Sequence, residues 1–270
     1  MISPRGTRTW LPIVALLPLM ASGCIVGVID LDDDERSNDA EATLLVTRSV
    51  PVTTQAGLRI TGLNGNIEVF AVDGDQRVTV QARKRVRSHS VSDAESHLSR
   101  ILIEVETTPD EVQVKTAHIG DPHGRTYTVD YEVFLPAGLY VAGSLANGNT
   151  RVEDLRDWVA LDVANGNVIL RRVEGCAVVA LGNGNVDATV SPPVGGDIVF
   201  SVGNGSAILT VPQDISAELK AQVGNGTISV QGLSLTNPVS GPNTFRGTLG
   251  SGAGLIDLTV GNGTIRVSGS

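Results

Sequence analysis

The chain is poor in the residues that most enzymes and disulfide-stapled domains rely on. Its 270 residues include two Cys, two Met, four His and only nine aromatics. Two cysteines permit at most one intrachain disulfide, which excludes a disulfide framework. So few rings mean an aliphatic core and scarce stacking platforms. Basic charge is also short, at 20 Lys and Arg against 29 Asp and Glu, and a net charge of −9 argues against binding nucleic acid. Glycine is what the chain has in quantity, at 31 residues, and 41% hydrophobic with 18% charged residues describes a chain that folds.

The longest apolar run, Leu11 to Met20, is too short to span a bilayer. With Arg5 and Arg8 before it and small residues after it, residues 1–23 read as an export signal. Ala21-Ser22-Gly23-Cys24 resembles a lipobox, with Ala21 where Leu is usual, and it implies acylation of Cys24. Several acyl chains at about 0.8 kcal/mol per buried CH₂ make a stable anchor. The residue after Cys24 is Ile25 rather than Asp, which implies the outer membrane in a host that has one. Removing residues 1–23 takes away two positive charges and no acid, so the formal charge moves from −9 to −11. With Cys24 acylated, Cys176 has no disulfide partner. Residues 24–42, with Asp30, Asp32, Asp33, Asp34 and Glu35, read as an acidic tether.

Asn-Gly recurs before a small polar residue at Asn64-Gly65, Asn147-Gly148, Asn165-Gly166, Asn183-Gly184, Asn204-Gly205, Asn225-Gly226 and Asn262-Gly263. From Asn147 the spacings are 18, 18, 21, 21 and 37 residues. Aliphatics alternate on both sides of each copy; Ala177, Val179 and Leu181 lead into Asn183, and Val186 and Ala188 follow it. Each repeat is therefore strand, bend, strand with one buried face, the bend needing positive φ that Gly supplies and Asn next best tolerates. One repeat buries about five aliphatics at roughly 1.5 to 3 kcal/mol each, too little to order about 18 residues at ~1 to 2 kcal/mol apiece. Repeats must stack, which predicts a parallel β-solenoid over 137–270. An antiparallel meander of Asn-Gly hairpins fits the same local pattern and stays open.

Residues 43–136 hold the first repeat and a different, α+β insertion. Arg77 to Val86 alternates as a strand, and Ser92-Asp93-Ala94-Glu95 reads as a capping box for a helix with Ala94, Leu98, Ile101 and Leu102 on one face. Thr108-Pro109-Asp110-Glu111 is a turn, and Tyr127 to Leu135 a strand. The run Tyr131-Glu132-Val133-Phe134-Leu135-Pro136-Ala137-Gly138 leading into Asn-Gly-Asn-Val coils resembles the bacterial putative-adhesin domain family of unknown function, related to head GIN auto-transporter adhesin domains, over roughly 43–270. The resemblance implies an exported β-solenoid and transfers no functional site.

Candidate chemistry is sparse. His118, Asp121 and His123 lie close together in a Gly- and Pro-rich loop without an evident fourth ligand, so no metal is expected. Cys176 has no nearby His to activate it. Glu68, Asp162, Asp187 and Asp257 face outward on different coils, and only Asp162 and Asp187 are candidates to meet. Arg83-Lys84-Arg85-Val86-Arg87 could touch lipid phosphate or an anionic polymer, but solvated strand charges explain it better. More informative is an outward apolar stripe of Ala142, Ala160, Val178, Ala180, Val199, Ile169 and Ile208, which either segment 77–136 covers or a partner does.

The sequence thus predicts a non-catalytic, lipid-anchored envelope protein acting as an adhesin-like binding or scaffolding module, with no cofactor and with an unspecified protein or glycan as partner. A carbohydrate-active β-helix enzyme and an envelope-sensing regulator are the alternatives.

Overall fold

The computed structural model describes residues 25–26, 40–118 and 123–270; among them are one helix and eighteen strands, and the strands form a single mixed sheet. Cys24, the leader, the acidic run of the expected tether (Asp30, Asp32, Asp33, Asp34 and Glu35) and Asp121 lie outside the described residues, while the ends of that segment fall in strands at 25–26 and from Ala40.

In the N-terminal part, β1 (Ile25–Val26) pairs with β2 (Ala40–Pro51), followed by β3 (Gly57–Asn64), β4 (Ile67–Val72) and β5 (Arg77–Ser88). Helix α1 (Val91–Leu98) leads to β6 (Ile101–Thr107), β7 (Glu111–His118) and β8 (Thr126–Pro136). The coils follow as β9 (Tyr140–Asn147), β10 (Thr150–Glu153), β11 (Val159–Asn165), β12 (Val168–Val173), β13 (Ala177–Val190), β14 (Ile198–Val211) and β15 (Ala217–Gln231). The chain closes with β16 (Leu235–Ser240), β17 (Thr244–Leu249) and β18 (Gly254–Gly269).

The strands flanking each Asn-Gly pair in parallel with the equivalent strands of other repeats, so the hairpin alternative is not the arrangement adopted. Before the bend the order is β3, β9, β11, β13, β14, β18, β15, with Asn64, Asn147, Asn165, Asn183, Asn204, Asn262 and Asn225 side by side. After the bend, β8, β4, β10, β12 and the second halves of β13, β14, β18 and β15 repeat that order. A uniformly parallel sheet is nevertheless not what forms. Antiparallel pairs close both ends: β2 with β5, β5 with β8 and β6 with β7 at one, and β15 with β17 and β16 with β17 at the other. A stack of coils exposes its last apolar layer and its strand edges unless dissimilar segments cover them, and these antiparallel strands do so.

Stacking order departs from sequence order at the C-terminus. The 37-residue interval between Asn225 and Asn262 holds the β16–β17 hairpin, after which β18 returns to lie between β14 and β15, paired in parallel with both.

The alternating aliphatics turn inward, Ile228 and Val230 of β15 only partly buried. Ala177, Val179, Leu181, Val186 and Ala188 of one coil are each at most 3% exposed, and they belong to a continuous core running from Ala42 to Val267. Helix α1 is shorter than its apolar spacing suggests. Ser90, not Ser92, caps it by accepting from the Asp93 amide at 3.3 Å, and Ile101 and Leu102 belong to β6. The alternating, largely β-branched run Ile101, Ile103, Val105 favours the strand. The buried Lys84 ammonium fixes the helix end, donating to the Leu98 carbonyl at 3.1 Å and the Ile101 carbonyl at 2.9 Å. Burial lowers its pKa.

Candidate binding face

The Asn-Gly column is a structural spine. Each Asn donates its Nδ2–H to the Oδ1 of its neighbour: Asn147 to Asn64 at 2.9 Å, Asn165 to Asn147 at 3.1 Å, Asn183 to Asn165 and Asn204 to Asn183 at 2.9 Å, and Asn262 to Asn204 and Asn225 to Asn262 at 2.8 Å. Positive φ belongs to the glycines, from 119° at Gly65 to 146° at Gly226; Asn in the column does not share it, so its role is the ladder and not the backbone twist. A second ladder, absent from the sequence reading, uses the residue after Gly. Asn66, Asn149, Asn167 and Asn185 each accept the backbone N–H of the next coil at Asn149, Asn167, Asn185 and Ser206, at 2.9 to 3.1 Å. The repeated Asn-Gly-Asn triplet was its visible signal. These N–H groups sit at a corner where the strand ladder leaves them short of acceptors, and the side chain supplies one.

The charged candidates are held apart or occupied. Asp162 and Asp257 share the pre-bend face with β13 and β14 between their strands, and Glu68 and Asp187 share the post-bend face with β10 and β12 between theirs. Three strand spacings separate each pair by about 14 Å, beyond the roughly 5 to 9.5 Å over which two carboxylates share a glycosidic bond. Asp187 does not approach Asp162; the Arg171 guanidinium grips it at 2.9 and 2.6 Å and holds its carboxyl below the usual range. Arg85 and Arg87 both pair with Glu41, Arg85 also reaches Asp130, and Lys84 points inward, so the basic run is not a free anion site. The His118 ring packs edge-on against Tyr127 with centroids 5.2 Å apart, and burial lowers its pKa. Cys176 accepts the Asp197 amide at 3.4 Å. Among the described residues no group of three or more His, Cys, Asp or Glu is placed to hold a metal.

The pre-bend outward face is different, because most of it is open. Segment 77–136 extends the sheet at one end instead of covering that face: β5 pairs with β8, and β7 with β3. Val178 is 46% exposed, Ala180 is exposed and Ala160 half-buried; Ala142 alone is buried. The small side chains there leave a shallow concavity of about 410 Å³ across β3, β9, β11 and β13. Ala142, Ala160, Ala180 and Val178 lie in it, with Arg59 and Asp162 also on its lining.

Beside it run Gly57 and Tyr140, paired in register, then Trp158 and Cys176, each one residue before the first pairs of Val159 with Val141 and Ala177. The Tyr140 and Trp158 rings stack with centroids 4.2 Å apart and planes 10° from parallel. Gly57 makes room for this ring, since a Cβ on it would overlap the Cγ, Cδ2 and Cε2 carbons of Tyr140. The Tyr140 hydroxyl donates to Glu111 Oε2 at 2.8 Å, and Glu111 Oε1 accepts from Arg59 Nε at 2.8 Å and Gln113 Nε2 at 2.9 Å. These partners, Arg59 foremost, keep the Glu111 carboxyl below its ordinary pKa. Sequence reading missed this cluster because its members lie on four separated segments and only register unites them.

No protein-family model matches the chain, and no curated protein matches it. Among solved structures it is similar to a putative cell adhesion protein from Clostridium sporogenes, with TM-score 0.51 and 14% identity over 84% of this chain and 99% of that one. It also aligns with a putative adhesin from Bacteroides fragilis (TM-score 0.34, 17% identity, 83% and 96% covered) and a putative lipid binding protein from Parabacteroides distasonis (TM-score 0.31, 12% identity, 83% and 96% covered). The first of these likenesses establishes a shared fold.

Proposed function

We propose that this protein is an exported lipoprotein, acylated on Cys24, whose Asn-Gly coils form a parallel solenoid serving as a rigid, non-catalytic, adhesin-like binding module at the cell envelope. The open pre-bend face carries this reading, because Val178 and Ala180 on β13 and Trp158 just before the neighbouring β11 are exposed. Contiguous exposed apolar surface marks an interaction site where single exposed side chains such as Val194 and Val239 do not. The lipobox-like Ala21-Ser22-Gly23-Cys24 supports the anchor, and no helix among the described residues is long and apolar enough to cross a membrane.

Two substitutions test the face. Ala180→Lys points into solvent, so it should leave the melting temperature within about 2 °C of the parent and abolish cosedimentation of the Cys24→Ser protein with purified cell envelopes. Undiminished cosedimentation of folded Ala180→Lys refutes the face. The anchor is tested separately by labelling the full-length protein with a fatty-acid analogue, which Cys24→Ser should eliminate. Turnover of a polysaccharide by the full-length protein would overturn the non-catalytic reading.

A further inference from the structure

We propose that Asn225 is a spontaneous modification site: the Gly226 backbone nitrogen converts its carboxamide to a carboxylate, a reaction that stacking suppresses at the other six Asn-Gly pairs.

The chemistry is common to every Asn-Gly pair. The Gly nitrogen attacks Cγ of the preceding Asn side chain and gives up its proton to solvent base. The new N–Cγ bond closes a succinimide ring, and the Cγ–Nδ2 bond breaks to release ammonia. Water then opens the ring at either carbonyl, leaving an aspartyl residue or an isoaspartyl residue whose chain runs through Cγ. Nothing is oxidised or reduced, and water is the co-reactant. Gly has no side chain to obstruct the attack. The remaining described asparagines precede either β-branched residues, which crowd the nitrogen, or Pro238, which has no N–H to lose.

Stacking ties up both reacting groups inside the column. The Gly N–H of each coil donates to the Asn carbonyl of the next: Gly65 to Asn147 at 3.0 Å, and Gly148 to Asn165 and Gly166 to Asn183 at 2.9 Å. The same register carries the pattern through Gly184, Gly205 and Gly263 to Asn204, Asn262 and Asn225. Each of those side chains is also held twice, donating through Nδ2 on one side and accepting at Oδ1 on the other.

Asn225 is where the stack runs out. Its Oδ1 accepts from no further Asn, and the Gly226 N–H points to where a next coil would lie. Past Gly224, β15 has β18 on one side and, among the described residues, no strand on the other. Exposure agrees, since Gly226 is the one exposed glycine of the seven pairs and the other six are half-buried. Ile228 and Val230 are only partly buried, whereas Ile265 and Val267 beside them in β18 are fully buried. An edge segment of this kind opens by local fraying, while an interior pair is released only when strands on both sides part. The product places a negative charge on the open end of the column and removes the N–H that Asn225 gives Asn262 at 2.8 Å.

The test is incubation of the folded full-length protein in detergent at mildly alkaline pH, with peptide mass mapping of all seven pairs over time. Deamidation should accumulate at Asn225 at least about tenfold faster than at any other pair, as the absence of two hydrogen bonds implies. Its rate should rise with pH, because the attacking amide must lose its proton. In denaturant all seven pairs should react at similar rates. Equal rates across the pairs of the folded protein, or a faster interior pair, overturn the site. The same preference for Asn225 in denaturant also overturns it, because neighbouring sequence and not stack position would then explain the selectivity.

Discussion

Replacing Gly184 with Ala adds one methyl group where neither backbone nor neighbour can accept it. Gly184 has φ of +135°, and its Cβ would meet the carbonyl oxygen of Gly166 in the coil beside it. That carbonyl cannot retreat, because the Gly166 amide donates to Asn183 at 2.9 Å and the whole column shares the arrangement; a Cβ on Gly205 would strike Gly184 in turn. The φ alone costs about 1 to 3 kcal/mol, and forcing a methyl into a packed layer about 1 to 3 kcal/mol more. At roughly 2 to 4 °C per kcal/mol for a chain near this size, the melting midpoint should fall by about 10 °C. Gly138→Ala is the matched control: no atom lies within 4 Å of its added Cβ and its φ is not positive, so it should leave the midpoint unchanged or slightly raised. Thermal melts of both variants decide the matter. Equal midpoints for the two would show that the glycine column is not constrained by stacking.

Further outcomes follow from other contacts. Asn183→Asp should destabilise by about 1 kcal/mol or more, measured by denaturant titration, because the carboxylate cannot donate to Asn165 and faces its Oδ1. Lys84→Met leaves the Leu98 and Ile101 carbonyls without their donor and should cost about 1 to 3 kcal/mol, with faster amide exchange in α1. The Asp93 carboxyl is held well below its ordinary value by Arg125, with Ser88 helping against desolvation. Its contribution to stability is therefore complete above the unfolded pKa near 3.8 and is lost as pH falls through the lower folded value, so the acid-unfolding curve of Asp93→Asn should converge on the parent's at low pH. A chain ending at Ala253 lacks the strand between β14 and β15, and a synthetic peptide of residues 254–270 should bind it and restore its melting transition; no binding would count against a preformed slot.

Much of the architecture is legible in sequence because the core and the bends are local signals. Alternating aliphatics and Asn-Gly specify inward faces and corners, and the near-constant spacing specifies stacking, so Val179, Leu181 and Val186 end up where their pattern puts them. Order and ends are not local. Nothing near Asn262 says that it stacks on Asn204 rather than on the far side of Asn225, and the antiparallel closing strands depend on which edges remain open. Ile101 shows the same limit on a small scale: its spacing fits a helix, but pairing with His118 offers it a sheet. The candidate face was legible as a stripe of outward apolar residues but its aromatic margin was not, since Glu111, Arg59, Tyr140 and Trp158 meet only through register.

The placement of β18 makes the order of folding differ from the order of the chain. Coils through β14 can stack one on the next as they follow in sequence, but β15 gains its parallel neighbour only from β18, which comes later than β15 in sequence and lies before it in the stack. A chain without β18 therefore loses part of an interior wall and not a frayed end, exposing apolar layers on both sides of the gap.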